Sequence, residues 1–307
     1  MRSLKRLLAL LLSLALLAWL ASDGRWRALG DSLARFSPGL ILLALTGFAA
    51  SYALRALRVS DEFRRDSGAP YLACLRIVLV HNAMVNVVPF RGGEAAFPLL
   101  LRRHFGTPLP RAIASLFWFR LQDAFVVAAL AALVWPGVSA PLRLTAVVLL
   151  VAVALWLPRW ARAPHRWHQG SALAGRLGRL RDAFADSTRH ARLGWLWTAA
   201  NWSVKLLTQA WVLAQLLPAG LPVGAAGALG AELAAILPVQ GVAGFGTYEA
   251  GAAAAMLPAG VGLEQGLQAA LALHLFVIAS AVLAGTLAWM AGLVRPSTDP
   301  TESSKTR

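Results

Sequence analysis

The chain of 307 residues contains one cysteine, Cys74, and only 14 acidic residues. A lone cysteine excludes an internal disulfide and any multi-cysteine metal site. Charge of either sign is scarce, at 14% of residues, and it is lopsided: 29 Lys+Arg stand against 14 Asp+Glu. A pI near 11.6 would point to nucleic acid in a soluble chain. Here the basic residues fall between apolar runs, and no nucleic-acid-binding motif accompanies them, so no nucleic-acid partner is expected. A Walker A sequence and a nucleophile elbow are also missing. His165-x-x-His168 has ligand-like spacing, but no Cys, Asp or Glu lies close in sequence. Gly244-Phe-Gly246 lacks the third glycine and the preceding strand of a dinucleotide loop. The residues assemble no enzyme mechanism, and no metal or cofactor is expected.

What the chain has in abundance is apolar surface. Hydrophobic residues make up 58% of it and the mean hydropathy is +0.61, which places it among polytopic membrane proteins. Met1–Arg6 followed by Leu7–Leu20 imitates a signal peptide, but Trp19 and Leu20 stand where small residues would precede a cleavage site. An uncleaved first span is expected. Spans are expected at 5–21, 39–57, 112–135, 142–157, 195–217 and 267–291, each near the ~17–25 residues that a crossing needs, the fourth being marginal. The loop 55–70 carries Arg55, Arg58, Arg64 and Arg65. The loop 158–192 carries eight arginines against Asp182 and Asp186. Both belong inside by the Lys/Arg bias, whereas 136–141 and 218–222 hold no basic residue and fit outside. Leu173 to His190 reads either as a topology determinant that merely touches lipid or as a basic amphipathic helix on the inner leaflet.

Two apolar regions remain, 71–101 and 223–260, and each is interrupted. Asn86-Val-Val-Pro-Phe-Arg-Gly-Gly-Glu94 breaks the first, and Pro238-Val-Gln-Gly-Val-Ala-Gly-Phe-Gly-Thr-Tyr-Glu249 the second. Unpaired backbone amides cost several kcal/mol each in hydrocarbon, so broken backbone at membrane depth survives only under protein or beside a watery cavity. Paired Gly/Pro-interrupted segments in two halves of a chain point to a transporter-type site. The expected fold is all-α and polytopic, with about six full spans and two re-entrant hairpins entering from opposite faces. Two full spans per region would satisfy the same charges. Residues 1–295 form one transmembrane domain on this reading, and 296–307 a disordered tail. Pro89, Gly92, Gly93, Pro238, Gly241, Gly244 and Gly246 are the candidate hinge positions.

Charges inside the spans are costly, about +2.5 to +3.5 kcal/mol at a helix centre, so each should face a partner or a cavity. Arg120 and Asp123 lie three apart on one helix face and can pair. Lys205 sits mid-span with no acid one turn away. Arg91 and Glu94 flank the first glycine pair, while Glu232 and Glu249 bracket the second break. His81, Asn82, Asn86, Gln209 and His274 read as interhelical hydrogen-bond partners.

Three of these motifs resemble the transmembrane region of lysylphosphatidylglycerol synthases and the stand-alone flippase-like membrane proteins related to it. They are Asn86-x-x-Pro89-x-Arg91-x-Gly93-Glu94, Arg120-x-x-Asp123, and the segment from Pro238 through Glu249, and the resemblance spans roughly residues 35–292. The family often has an acid before the middle Arg and an Arg soon after the first Glu; this chain has Phe119 and Phe97-Pro98 there. The resemblance implies a polytopic fold with re-entrant helices and a role in moving lipid between leaflets. No room is expected for the soluble aminoacyl-transferase domain of the synthases, so the chain is not expected to be an enzyme. On this reading Arg91, Arg120 and Lys205 hold a lipid phosphate, and Glu94, Asp123 and Glu249 neutralise and position them. The ligand would be an anionic phospholipid or a polyprenyl-phosphate-linked lipid. The chain would sit in the inner membrane with both termini cytoplasmic. A non-transporting scaffold for a cell-envelope enzyme, a transporter of a soluble anion, and self-association stay open.

Overall fold

In the computed structural model, which describes residues 18, 25–34, 36–88, 92–135, 137–167, 170–190, 193–236 and 242–293, the described residues are helical with no strand. After α1 (Arg25–Ala34) come α2 (Pro38–Ser67), α3 (Tyr71–Val87), α4 (Ala96–Phe105), α5 (Leu109–Val134) and α6 (Ala140–Arg162). They are followed by α7 (Ala172–His190), α8 (Gly194–Leu216), α9 (Leu221–Ile236), α10 (Thr247–Met256) and α11 (Leu263–Leu293). Four of them, α2, α5, α6 and α11, contain stretches long and apolar enough to cross a bilayer. α8 has a span's length, 23 residues, but spends Asn201, Lys205 and Gln209 on polar contacts. The chain is a multi-pass α-helical membrane protein. The expected span 5–21, apart from Ala18, and the tail 296–307 lie outside the described residues.

Local chemistry sets the helix ends. Ser37 Oγ accepts the Leu40 amide at 3.2 Å and Pro38 opens α2. Gly68, at φ 61°, closes it by returning its N–H to the Arg64 carbonyl. The sequence reading of 55–70 as a loop is therefore wrong for most of its length. Arg55, Arg58 and Glu62 recur at three- and four-residue spacing, share one face of α2 and turn inward, so helix continues through them. The basic segment 158–192 is likewise largely helical. α6 runs through Pro158 to Arg162, and α7 covers the expected amphipathic stretch. One face of α7 packs Phe184 and Ala185 on Trp118 and Ala161. Its buried Arg181 lies 4.5 Å from the Trp160 ring centre and 4.9 Å from that of Trp167. His165, far from any acid in sequence, meets Asp182 at 2.9 Å.

The interrupted regions take one shape twice. α3 is 17 residues and α4 is 10; α9 is 16 and α10 is 10, with a short 3-10 turn before each second arm. At 1.5 Å per residue the arms reach about 25 and 15 Å, short of the ~30 Å hydrocarbon core. Each pair doubles back. A Cβ on Gly93 would land on the Met84 carbonyl, and Phe97 lies 5.3 Å from the His81 ring. In the second pair Gly230 and Gly251 face each other so closely that a Cβ on either would strike the other's carbonyl. Gly224 meets the Ala210 carbonyl of α8 in the same manner, so these glycines are packing positions.

Each hairpin has its own apolar core. Phe48, Leu213, Leu229, Met256 and Leu273 surround the second. Val59, Phe63, Ile77, Phe97, Leu101 and Phe119 surround the first. At the periphery, α6 touches α5 and α7 and turns Leu144, Val148, Leu149 and Leu155 outward, a surface suited to lipid.

Candidate functional site

Between α2, α3, α4 and α5 lies a small cavity of about 20 Å³, walled by Arg55, Arg58, His81, Phe97, Phe119, Arg120 and Asp123 among others. Room for about one water is all that such a volume gives. Each charged side chain reaches it from a different helix turn. On α2, Arg55 and Arg58 lie three apart; on α5, Arg120 and Asp123 repeat that spacing. The 3-10 turn after the first break brings Glu94 not to the cavity wall itself but to Arg120, which lines it.

The sequence pairing of Arg120 with Asp123 holds only as the longer contact, at 3.6 Å. Arg120 binds Glu94 at 2.6 Å and Arg58 binds Asp123 at 2.7 Å, because a tertiary partner can approach end-on where an i,i+3 neighbour cannot. Asp123 also accepts the Trp202 indole N–H at 2.9 Å, and Arg58 donates to Thr198 at 2.7 Å. His81 stands 3.4 Å from Glu94. Arg55 has a 3.3 Å hydrogen bond to Asn82, which in turn reaches the Tyr52 hydroxyl at 3.0 Å. Around one cavity, three guanidinium groups thus face two carboxylates. The buried Nε atoms of Arg58 and Arg120 meet no acceptor among the described residues. Phe119 carries the Arg58 guanidinium 4.4 Å over its ring, and Phe97 meets Phe119 edge-on at 6.0 Å.

This geometry coincides with a sequence match. The profile of the lysylphosphatidylglycerol synthase TM region matches residues 6–285. The chain belongs to that family. No curated protein matches it. For this member of the lysylphosphatidylglycerol synthase TM-region family, both positions that depart from the expected pattern, Phe97 and Phe119, line the cavity and touch each other.

A second polar cluster is built on α8, α9, α10 and α11. Lys205 meets Glu232 at 2.7 Å, and Gln209 donates to Glu232 at 2.8 Å and to the Tyr248 hydroxyl at 3.1 Å. His274 Nδ1 lies 2.6 Å from Glu249, whose other oxygen accepts the Gly246 N–H at 2.7 Å. The expected hydrogen-bonding roles of Asn82, Gln209 and His274 are met between elements, whereas His81 only approaches Glu94, at 3.4 Å, without a hydrogen bond. Asn86 instead donates within α3, to the Asn82 carbonyl at 2.7 Å.

Of the candidate ligand residues, Glu94, Arg120 and Asp123 share the first cluster, whereas Lys205 and Glu249 stand in the second. Trp202 joins the two: its N–H serves Asp123 while its ring lies 4.5 Å from Lys205 Nζ. Arg91, Pro89, Pro238 and Gly241 lie outside the described residues. Among the hinge candidates, Gly244 and Gly246 both sit at φ 86°, a conformation that favours glycine. Gly93 is needed for close approach, and a Cβ on Gly92 would come within 2.8 Å of the Val88 side chain. Arg55 and Arg58 are the cavity residues that the sequence reading assigned elsewhere. Their shared face with Glu62 is the signal that could have found them.

Proposed function

We propose that this protein binds the phosphate of an anionic lipid in the Arg55–Arg58–Arg120 cavity and passes such lipids between leaflets of the inner membrane. One observation carries the reading: three guanidinium groups stand against two carboxylates at membrane depth, an excess of positive charge. Buried charge that is not balanced internally is costly in a bilayer. Arginine forks suit phosphate oxygens better than any neutral ligand.

On this reading the two short-armed hairpins are re-entrant, and the structure is the closed state, since a one-water cavity excludes a headgroup. Opening requires the Arg120–Glu94 contact to part. Acyl chains stay in lipid outside while the headgroup crosses between the hairpins. The protein acts by binding and movement rather than by bond chemistry, with its basic segments and both termini facing the cytoplasm. The tight internal ion pairs favour one rival, a scaffold for a cell-envelope enzyme whose charges only brace its helices.

Proteoliposomes containing fluorescent phosphatidylglycerol or a labelled polyprenyl phosphate separate the two. We expect outer-leaflet quenching to reveal protein-dependent movement of at least one of these lipids, and Arg58→Gln and Arg120→Gln to abolish it in folded protein. Folded wild-type protein that neither moves nor binds any anionic lipid overturns the proposal.

A further inference from the structure

The lipid reading uses the first cluster and leaves part of the second without a task. Glu249 and His274 are both buried, at 0% and 5% exposure, in contact with one another at 2.6 Å. The His274 ring is held on both sides, stacked on Tyr248 at 4.3 Å and tilted against Phe245 at 4.9 Å. We infer that Glu249 and His274 form a proton-binding site at the second break, through which lipid movement responds to a pH difference across the membrane.

The pair stands where a single proton has mechanical consequences. Glu249 Oε2 caps α10 through the Gly246 N–H, and Thr247 ties its hydroxyl to the Gly244 carbonyl at 2.9 Å. Along and just before these ties the backbone takes a positive φ three times, at Ala243 (φ 54°), Gly244 and Gly246. Ala243 is a residue that seldom adopts such a conformation, so the surrounding contacts must hold it. With His274 neutral, its Nδ1–H donates to the carboxylate and the pair carries one negative charge. A proton added at Nε2 forms the imidazolium and makes the pair neutral. Hydrocarbon surroundings amplify that difference, which is why Asp/Glu/His chains inside membranes serve as proton relays.

The charged and titratable neighbours form a line back to the phosphate cavity. Tyr248 of α10 meets Gln209 of α8, Gln209 meets Glu232 of α9, and Glu232 meets Lys205. Lys205 lies on the Trp202 ring, and Trp202 donates to Asp123 at the cavity. On α3, His81 is turned to Glu94, and on α2, Tyr52 is bound by Asn82. The exposed Arg27 and Asp31 are carried by α1.

The coupling rests on the lipid reading, while the proton site does not, so two measurements separate them. In the first, full-length protein with ¹⁵N-labelled histidine is titrated in detergent by NMR, His274 being assigned by loss of its signal in His274→Gln. We expect its ring to change protonation in a single step during that titration, and Glu249→Gln to displace that step. A ring that keeps one state throughout, or a step indifferent to Glu249→Gln, overturns the site. In the second, proteoliposomes carry labelled phosphatidylglycerol and a gradient of about two pH units, a bias of up to about a hundredfold per proton. Wild-type movement should change at least about fivefold with the gradient, and His274→Gln should lose that response while moving lipid at symmetric pH. Movement that ignores the gradient overturns the coupling. A wild type that moves no lipid at all refutes the lipid reading alone, and the titration still decides the proton site.

Discussion

Replacing Asp123 by asparagine tests whether the cavity is truly desolvated. The carboxylate is 9% exposed, its partner Arg58 is 4% exposed, and they meet at 2.7 Å. Asparagine keeps the shape and an acceptor for the Trp202 N–H, but it leaves Arg58 charged without its close carboxylate. Removing one partner of a buried ion pair costs about 3–5 kcal/mol. Even 3 kcal/mol is a factor of about 150 in the unfolding equilibrium. Arg58→Met combined with Asp123→Leu removes both charges and should recover most of that loss. The indole N–H then lacks its acceptor, at about 1–3 kcal/mol. Denaturant titration in mixed micelles, read as a double-mutant cycle, measures the coupling directly. A cost below about 1 kcal/mol for Asp123→Asn, the range of water-exposed pairs, would refute the argument for a dry, charged cavity. The double variant should still fail to move lipid, because stability and headgroup binding draw on Arg58 separately.

Further outcomes are expected elsewhere. Glu232→Gln leaves Lys205 without its 2.7 Å partner and should destabilise the protein by about 3 kcal/mol, a loss that Lys205→Met reverses in the same unfolding assay. Gly93→Val drives a side chain into the Met84 carbonyl and should lower the amount of folded protein recovered by size-exclusion chromatography. Gly244→Val places a branched residue at φ 86° beside the His274 ring and should stop lipid movement. Full rescue of a deletion strain by Gly244→Val, with no movement by wild type, would favour the scaffold. Cysteines at Arg64 and Gly170 in a Cys74→Ala background should react with impermeant maleimide only from the cytoplasm, and those at Ser139 and Leu221 only from outside. Ser60, half-buried with its hydroxyl on the Ala69 carbonyl, is a poor label site.

What could be read from the residues was whatever repeats locally. Apolar runs gave α2, α5, α6 and α11, and the Gly/Pro interruptions marked both hairpins, because backbone breaks leave a signature within a dozen residues. Arg120 and Asp123 were visible as neighbours for the same reason. Their stronger partners were not, since Arg58 and Glu94 arrive from 65 and 26 residues away in sequence. Lys205 stood as an unexplained charge until α9 brought Glu232 beside it. Arg55 and Arg58 were misplaced because arginines after an apolar run usually mark a loop leaving the membrane. Only the inward-facing register with Glu62 distinguishes them from such a loop.

The glycine contacts of α9 and α10 have a mechanical consequence. Where side chains interdigitate, two helices can shift by exchanging rotamers. Gly230 and Gly251 bring main chain against main chain, and there is nothing between them to rearrange. The two arms therefore behave as one stiff plate. Any motion of the second hairpin must be taken up at its edges, at 217–220 and 257–262. A crosslink within the plate should leave transport untouched, whereas one that pins either edge should stop it.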